Sequence, residues 1–197
     1  MSKMIKKNFN THKIRIIGGK WKNTKFFVPS IIDLRPTLSV IRETLFNWIT
    51  PIIKNSYCLD CFSGTGILGS EALSRYAKYV FFVEKNIFLN KKLIKKLYDL
   101  NAKNFCAITM DVIKWLKKPK LSFDIVFIDP PYKNANLINY SIYLLEKNYF
   151  LKDESWIYVE MDKINIDPIV PRNWKIYRKK TTGRISYYLY NRMYFFK

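Results

Sequence analysis

The sequence predicts an α/β fold, built on a mostly parallel, seven-stranded sheet with helices on both faces and an antiparallel last strand. Two observations carry this prediction. From residue 57 onward, apolar strand-like runs alternate with helix-like segments, which is typical of a parallel sheet, and a short turn joins the last two runs into an antiparallel pair. Residues 51–197 are expected to form this domain. Residues 1–50 are expected to form a substrate-binding extension of a tail, a small β-hairpin and a helix.

Two short strands are predicted near the N-terminus, at 14–17 and 25–28. The link between them, 18–24, is too long for a two-residue hairpin turn. Its Gly-Gly pair, two lysines and Trp21 predict a mobile basic loop that could contact a phosphate backbone. The alternative is a plain surface loop whose Trp21 lies on the core.

A helix is predicted over 39–49, where apolar residues recur at helical spacing. Thr37 or Ser39 can cap its start, and Thr50-Pro51 is expected to end it. The opposite face is polar and includes Arg42. That face indicates either a solvated surface or a wall of the substrate cleft.

The remaining elements alternate in type until the closing pair. Strands are predicted at 57–61, 79–83, 104–109, 123–128 and 156–160. Helices are predicted at 67–76, 87–100, 112–116 and 136–147. Two last strands, joined at Thr182-Gly183, are predicted at 175–181 and 185–191.

Composition and charge narrow the possible partners. The chain has 197 residues, 49% hydrophobic and 25% charged, which is typical of a globular protein. The formal net charge of +20 indicates nucleic acid or a membrane surface as a partner, although a genome biased toward Lys, Asn and Ile would also raise the charge. No apolar run reaches the roughly 18 residues of a membrane span, and the N-terminus lacks the apolar core of a secretory signal. A cytoplasmic protein is therefore expected.

The first strand of the alternating series leads into the glycine pattern Gly64-x-Gly66-x-x-Gly69. The first glycine allows a tight turn, the second lets a ligand approach the backbone, and the third lets helix and strand pack closely. Glu84 ends the next strand, where a carboxylate can accept hydrogen bonds from ribose hydroxyls. These residues indicate an adenosine-containing ligand, and NAD remains possible.

Two further carboxylates favour a different adenosine compound. Asp60 lies just before the glycines, where its charge would repel a pyrophosphate and attract an ammonium group. Asp111 ends the third strand of the series and can meet the edge of an adenine. A ligand with adenine, ribose and a cationic amino-acid arm is S-adenosylmethionine.

The strand at 123–128 runs directly into Asp129-Pro130-Pro131-Tyr132. The prolines fix φ and have no N–H, so the segment presents mainly acceptors beside the flat face of Tyr132. Such a site suits a planar group that donates N–H bonds, such as the exocyclic amine of a nucleobase. The alternative is a rigid strand exit with a capping aspartate.

Three cysteines raise the question of metal or redox chemistry. Cys58 and Cys61 form a C-x-x-C pattern, but residues three apart in a strand point to opposite faces. Only Cys106 and His12 remain as further soft ligands, and both are distant in sequence. The cysteines are therefore predicted to be buried core residues in a reducing compartment, with no metal and no role for His12.

Taken together, these motifs resemble one enzyme family, from about residue 13 to about residue 192. The Asp60–Arg75 segment and Asp129–Tyr132 look like the Rossmann-like class I methyltransferases that modify exocyclic amines. The leader is similar to that of the bacterial 16S rRNA guanine-N2 methyltransferases of the D type. The segments that carry this second resemblance are Arg15–Trp21, Leu34–Thr37 and Arg42–Trp48.

The resemblance implies a role for each candidate residue. Those implied to bind S-adenosylmethionine are Asp60, Phe62, Gly64, Gly66, Gly69, Glu84, Asp111 and Val112. Those implied to act at the target amine are Asp129, Pro130, Pro131 and Tyr132. Those implied to contact RNA are Arg15, Lys20, Lys22, Arg35 and Arg42.

Several functions stay open at this point. The expected reaction is methylation of the N2 amine of a guanine in 16S rRNA of the small ribosomal subunit, by a monomer. The alternatives are an adenine-N6 or cytosine-N4 methyltransferase on RNA or DNA, a non-catalytic RNA-binding assembly factor, and an NAD oxidoreductase. The last would leave Pro130 and Pro131 without a role.

Overall fold

The computed structural model describes residues 12–28, 38–118, 121–131 and 134–193. Three residues singled out above, Arg35, Thr37 and Tyr132, lie outside the described residues. Among the described helices, none combines the length and apolar character needed to cross a membrane.

The elements follow the predicted alternation closely. The strands are β1 (His12–Arg15), β2 (Lys25–Val28), β3 (Tyr57–Asp60), β4 (Tyr79–Glu84), β5 (Phe105–Thr109), β6 (Phe123–Ile128), β7 (Leu151–Asp162), β8 (Trp174–Thr182) and β9 (Ile185–Arg192). The α-helices are α1 (Ser39–Ile53), α2 (Ile67–Ser74), α3 (Ile87–Asp99), α4 (Val112–Leu116) and α5 (Ala135–Lys147). A short 3-10 helix, Gly19–Trp21, lies between β1 and β2.

A seven-stranded sheet in the order β5-β4-β3-β6-β7-β9-β8 organises the molecule. Strands β3 to β7 pair in parallel, and β9 pairs antiparallel with both β7 and β8. The predicted mostly parallel sheet with an antiparallel last strand is therefore confirmed. Because all five parallel strands point the same way, their carboxyl ends meet at one edge of the sheet.

Each face of the sheet carries its own core. One cluster joins residues of α1, α2 and α3 to the N-terminal hairpin, through Ile16 and Phe26 among others. The other joins α4 and α5. Cys58 lies in the first cluster and Cys61 in the second, so the prediction that they are buried and point to opposite faces is confirmed. Burial raises the pKa of the Cys58 thiol to about 12, which keeps it protonated at neutral pH.

Helix α1 differs from its prediction at both ends. Leu38 occupies the N-cap position without a side-chain cap, so Ser39 does not cap the helix. The helix also continues through Pro51 to Ile53, so the predicted end at Thr50-Pro51 is wrong. Ile53 is 3% exposed, and its burial offsets the backbone hydrogen bond that a helical proline cannot donate.

Strand β7 begins five residues before the predicted 156–160 strand and ends two residues after it. Its first part contains the polar residues Lys152, Asp153 and Glu154, which the predicted strand did not include. The pairing of β6 with β7 shifts register between Phe123 and Ile125, which accommodates this irregular first part. The second part is regular and carries the buried residues of the strand.

Candidate active site

Four acidic residues gather at the carboxyl edge of the sheet. Asp60 ends β3 and Glu84 ends β4, Asp129 directly follows β6, and Glu160 lies near the end of β7. Strands β4, β3, β6 and β7 are consecutive neighbours in the sheet. The sequence predicted the first three of these side chains as site residues, and the topology brings them together.

Glu84 holds the glycine turn through hydrogen bonds to its carboxylate. One of its carboxylate oxygens accepts a hydrogen bond from the Gly64 N–H at 2.7 Å, and the other accepts one from the Asn86 N–H at 2.7 Å. Asn86 in turn caps α3. A carboxylate can accept about four hydrogen bonds, so Glu84 keeps capacity for a further donor such as a ribose hydroxyl.

The glycines themselves are required by geometry. Gly64 has φ 54° and Gly66 has φ 77°, in the left-handed region that glycine adopts without strain. A Cβ on Gly66 would also lie 2.3 Å from Leu93, and one on Gly69 would lie 2.2 Å from the Phe82 ring. Close packing of Gly69 between helix and strand is therefore confirmed.

Asp60 is a buried carboxylate that favours a positive partner. It is 1% exposed and accepts a hydrogen bond from the Gly69 N–H at 3.0 Å. Burial raises its pKa from 3.8 to about 7, and the charges of Asp129 and Glu84 add to this rise, while the Gly69 N–H opposes it. An ammonium group beside Asp60 would restore its ionised form.

Asp111 and Val112 lie one strand further along the same edge. Asp111 caps α4 by accepting a hydrogen bond from the Lys114 N–H at 3.1 Å, and Val112 is 4% exposed. The Met110 N–H donates to the backbone carbonyl of Glu84 at 3.1 Å, which joins the ends of β4 and β5. Phe62 is half-buried against the second core cluster. The predicted cofactor residues thus line one continuous edge.

Asp129, Pro130 and Pro131 form the exit from β6. Asp129 and Pro131 are half-buried and Pro130 is buried. Asp129 lies close enough for its charge to raise the pKa values of Asp60 and of Tyr158 on β7. The predicted amine-binding segment therefore lies between the glycine turn and β7.

The predicted RNA contacts divide into two groups. Arg15, Lys20 and Lys22 are exposed on the N-terminal hairpin and its loop. Arg42 is different: it is 1% exposed, so its predicted place on a polar outer face of α1 is wrong. Its guanidinium donates to the Arg15 carbonyl at 2.9 Å and lies 3.7 Å from the Glu71 carboxylate.

Glu71 holds the N-terminal loop, for which the sequence left open a mobile basic loop or a surface loop with Trp21 on the core. Its carboxylate, fully buried, accepts hydrogen bonds from the Ile17 N–H at 2.7 Å and the Gly18 N–H at 2.8 Å. It also accepts one from the Arg75 guanidinium at 2.9 Å. Trp21 packs against the first core cluster, with the Lys20 ammonium 4.5 Å from its ring centre. The sequence gives no local signal for this role of Glu71, because the Ile17 and Gly18 N–H groups lie more than 50 residues away along the chain.

No group of three or more His, Cys, Asp or Glu side chains in the described parts of the chain is arranged to hold a metal ion. Cys106 is partly exposed, so the prediction of a buried core residue is wrong for this cysteine, whereas the other two cysteines are buried.

Fold and site together define a class of protein. A parallel sheet closed by an antiparallel strand, a glycine turn between acidic strand ends, and Asp-Pro-Pro after β6 are the features of a Rossmann-like class I methyltransferase. The family described as Conserved hypothetical protein 95 matches residues 14–191.

Individual relatives make the assignment more particular. The chain is 44% identical over 180 residues to Ribosomal RNA small subunit methyltransferase D of Escherichia coli K12, covering 91% of this chain and 90% of that protein. It is 45% identical over 193 residues to the protein of the same name from Buchnera aphidicola subsp. Baizongia pistaciae, covering 95% and 96%. The solved Escherichia coli structure named "Putative methyltransferase yhhF" superposes with a TM-score of 0.85 at 42% identity, covering 92% of this chain and 99% of that one. The chain belongs to the small-subunit rRNA methyltransferase D family, as its sequence motifs predicted.

Proposed function

We propose that this protein transfers a methyl group from S-adenosylmethionine to the N2 amine of a guanine in 16S rRNA. The observation that carries the proposal is the placement of Asp129 and Pro130 at the end of β6, one strand from Asp60 and its glycine turn. The proposed reaction requires acceptors for an amine next to residues suited to a cationic adenosine compound, and this neighbourhood supports it. The relatives named above are rRNA methyltransferases by name, which supports rRNA as the substrate.

The residues present fit S-adenosylmethionine. Asp60 is a buried carboxylate with a raised pKa that a cation would relieve, and Glu84 has acceptor capacity left for ribose hydroxyls. Gly64 and Gly66, which have no side chains, lie in the turn that Glu84 binds through the Gly64 N–H. When bound, S-adenosylmethionine supplies a sulfonium methyl group that is already electrophilic.

The residues of this chain make the target amine more nucleophilic. The lone pair of an exocyclic amine is delocalised into its base, so the amine is a poor nucleophile. Hydrogen bonds from its two N–H groups to fixed acceptors, the Asp129 carboxylate and the Pro130 carbonyl, draw the nitrogen toward tetrahedral geometry. The same acceptors stabilise positive charge that develops on the nitrogen, where preorganised groups count most.

The target base must leave its stack to reach this edge, at a cost of a few kcal/mol. Tyr132 is proposed to stack on the extruded base, and Arg15, Lys20, Lys22 and Arg35 to hold the flanking phosphates. The proposed setting is the small ribosomal subunit in the cytoplasm, with the protein acting as a monomer.

The test is methyl transfer to purified small subunits, followed by nuclease digestion and mass analysis of the nucleosides. The wild-type protein is expected to form N2-methylguanosine. Asp129→Ala is expected to lower turnover by roughly 10²-fold or more, the scale of losing a transition-state acceptor, with unchanged S-adenosylmethionine affinity by calorimetry. Asp99→Ala, an exposed aspartate at the end of α3, is the matched control and should keep full activity.

Each contrary result has a distinct meaning. Native turnover by Asp129→Ala would reject the amine-holding role. N6-methyladenosine or N4-methylcytidine as the product would keep the reaction and reject guanine. A protein that binds small subunits without binding S-adenosylmethionine would be an assembly factor.

A further inference from the structure

Glu160 lies beside Asp129 at the carboxyl edge of the sheet. Ile128 of β6 is the register partner of Val159 of β7, so the residues that follow each, Asp129 and Glu160, are also neighbours. Side chains alternate between faces along a strand. Phe127 and Tyr158 belong to the first core cluster, which places Asp129 and Glu160 on that same face.

Tyr158 fixes the Glu160 carboxylate. The Tyr158 hydroxyl donates to Glu160 Oε2 at 2.8 Å, and Tyr158 is fully buried while Glu160 is 2% exposed. Burial raises the pKa of Tyr158 well above its ordinary value, and the charges of Glu160 and Asp129 raise it further. The hydroxyl therefore stays protonated and keeps donating. The acceptor at the end of β7 is thus held in place before any substrate arrives.

Of the three bases that carry an exocyclic amine, only guanine has a second donor on the neighbouring ring position. Guanine presents two donors at adjacent positions, the N1–H and the N2 amine. Adenine and cytosine each present a donating amine next to a ring nitrogen that only accepts. Neighbouring strands lie about 5 Å apart, so acceptors on β6 and β7 can receive both donors of one planar ring.

We propose that Glu160 is the specificity-determining residue of this site and accepts the N1–H of the target guanine while Asp129 holds the N2 amine. This inference rests on the proposed function. Tyr158 acts as a positioning residue through Glu160. A base with a lone pair at the corresponding ring position would leave the buried Glu160 carboxylate without a donor. Sites built to accept a hydrogen bond from a substrate N–H reject analogues that lack this N–H.

The test replaces the target guanine with an analogue that lacks both the N1–H and the C6 oxygen, and compares this substitution between the wild-type protein and a variant. 16S rRNA is built with guanine or with 2-aminopurine at the methylated position and assembled into small subunits. 2-Aminopurine keeps the 2-amine but has a lone pair at N1. The wild-type protein is expected to prefer guanine by roughly 10²-fold or more in kcat/KM. Glu160→Gln, whose amide can donate to that lone pair, is expected to narrow the preference by about tenfold or more.

Two controls separate specificity from stability. Glu154→Gln, an exposed residue of the same strand, should leave the guanine preference unchanged. S-adenosylmethionine affinity should be the same in all variants. If Glu160→Gln does not fold, Tyr158→Phe is measured in its place. This variant keeps the Glu160 carboxylate and removes only the hydroxyl that donates to it. Tyr158→Phe should narrow the preference for guanine over 2-aminopurine by a smaller factor than Glu160→Gln.

The outcomes distinguish this inference from the function on which it rests. If the wild-type protein forms no N2-methylguanosine, the proposed function fails. If it does, and a folded, cofactor-binding Glu160→Gln keeps the wild-type preference for guanine over 2-aminopurine, Glu160 does not read N1–H. An unchanged preference in Tyr158→Phe, where that variant carries the test, has the same meaning.

Discussion

At the residue scale, Asp60 couples the site to pH. Its pKa of about 7 means that the carboxyl is mostly protonated at pH 6 and mostly ionised at pH 8. An ammonium group binds the ionised form of Asp60. At a pH where Asp60 is protonated, binding of the ammonium group must therefore release the proton. The sequence predicted Asp60 as a cofactor residue. It could not predict the pKa, which depends on burial and on Asp129 and Glu84, residues brought close only by folding.

We therefore expect S-adenosylmethionine affinity to weaken as pH falls, by up to roughly tenfold per pH unit below the pKa of Asp60. Calorimetry between pH 5.5 and pH 7.5, in two buffers of different ionisation enthalpy, measures both the affinity and the proton released. Asp60→Asn should bind more weakly and should lose this proton release. Equal proton release by wild type and variant would assign the linkage to another group.

Arg42 shows the limit of reasoning from residue type. Arginine in a polar helical stripe predicts a surface, yet this side chain is 1% exposed because Glu71 and the Arg15 carbonyl surround it. Both partners come from other segments of the chain. A buried arginine needs such partners, and only the three-dimensional structure can supply their identity.

At the element scale, helix α2 holds the N-terminal hairpin. Gly19 is required by this contact, because a Cβ there would lie 2.0 Å from the Ser74 carbonyl oxygen. A Cβ on Gly18 would lie 2.5 Å from the Arg75 guanidinium, which would have to shift. The Trp21 N–H donates to the Ser74 hydroxyl at 2.9 Å. What the sequence indicated as flexible glycines is therefore a close approach between loop and helix. The division into residues 1–50 and 51–197 stays a prediction.

Glu71 is expected to be the main anchor of this contact. Glu71→Ala leaves the buried Arg42 without its carboxylate and the Ile17 and Gly18 N–H groups without an acceptor. A loss of about 3–5 kcal/mol in the free energy of unfolding is expected, as for other broken buried pairs. Urea unfolding measures the loss, and hydrogen exchange at Ile17 and Gly18 shows whether the hairpin detaches.

Glu43→Ala on the exposed face of α1 is the control for this experiment, with an expected change below about 0.5 kcal/mol. If Glu71→Ala is no less stable than this control, the hairpin is held by its apolar contacts through Ile16 and Phe26 instead.

At the scale of the whole molecule, several acidic residues are buried while the surface is mostly basic. Four of the 15 acidic residues are buried in the described part of the chain, namely Asp60, Glu71, Glu84 and Glu160. The surface is therefore more basic than the formal net charge of +20 indicates. The acidic strand ends would repel phosphates, so we expect an RNA backbone to be held outside the site while a base enters it.

The sheet topology was predictable because alternation and strand-end carboxylates are local signals. Asp60, Glu84 and Asp129 lie together because the carboxyl ends of neighbouring parallel strands meet at one edge of the sheet. Glu160 also ended a predicted strand, at 156–160, and its position was the available signal. Its position beside Asp129 depends on the register between β6 and β7, which the sequence does not encode locally.

The hairpin loop is expected to contribute specific phosphate contacts beyond this general positive field. Binding of 16S rRNA, measured at several salt concentrations, gives a slope of log affinity against log salt that reports the number of phosphates neutralised. The double variant Lys20→Ala/Lys22→Ala should lower the magnitude of this slope by roughly 1.4–1.8, since each lysine on a phosphate contributes about 0.7–0.9. The matched control is Lys103→Ala/Lys118→Ala. These exposed lysines precede β5 and follow α4, at the amino edge of the sheet. An equal change of slope in both double variants would mean that RNA responds to the overall charge of the molecule and not to the hairpin loop.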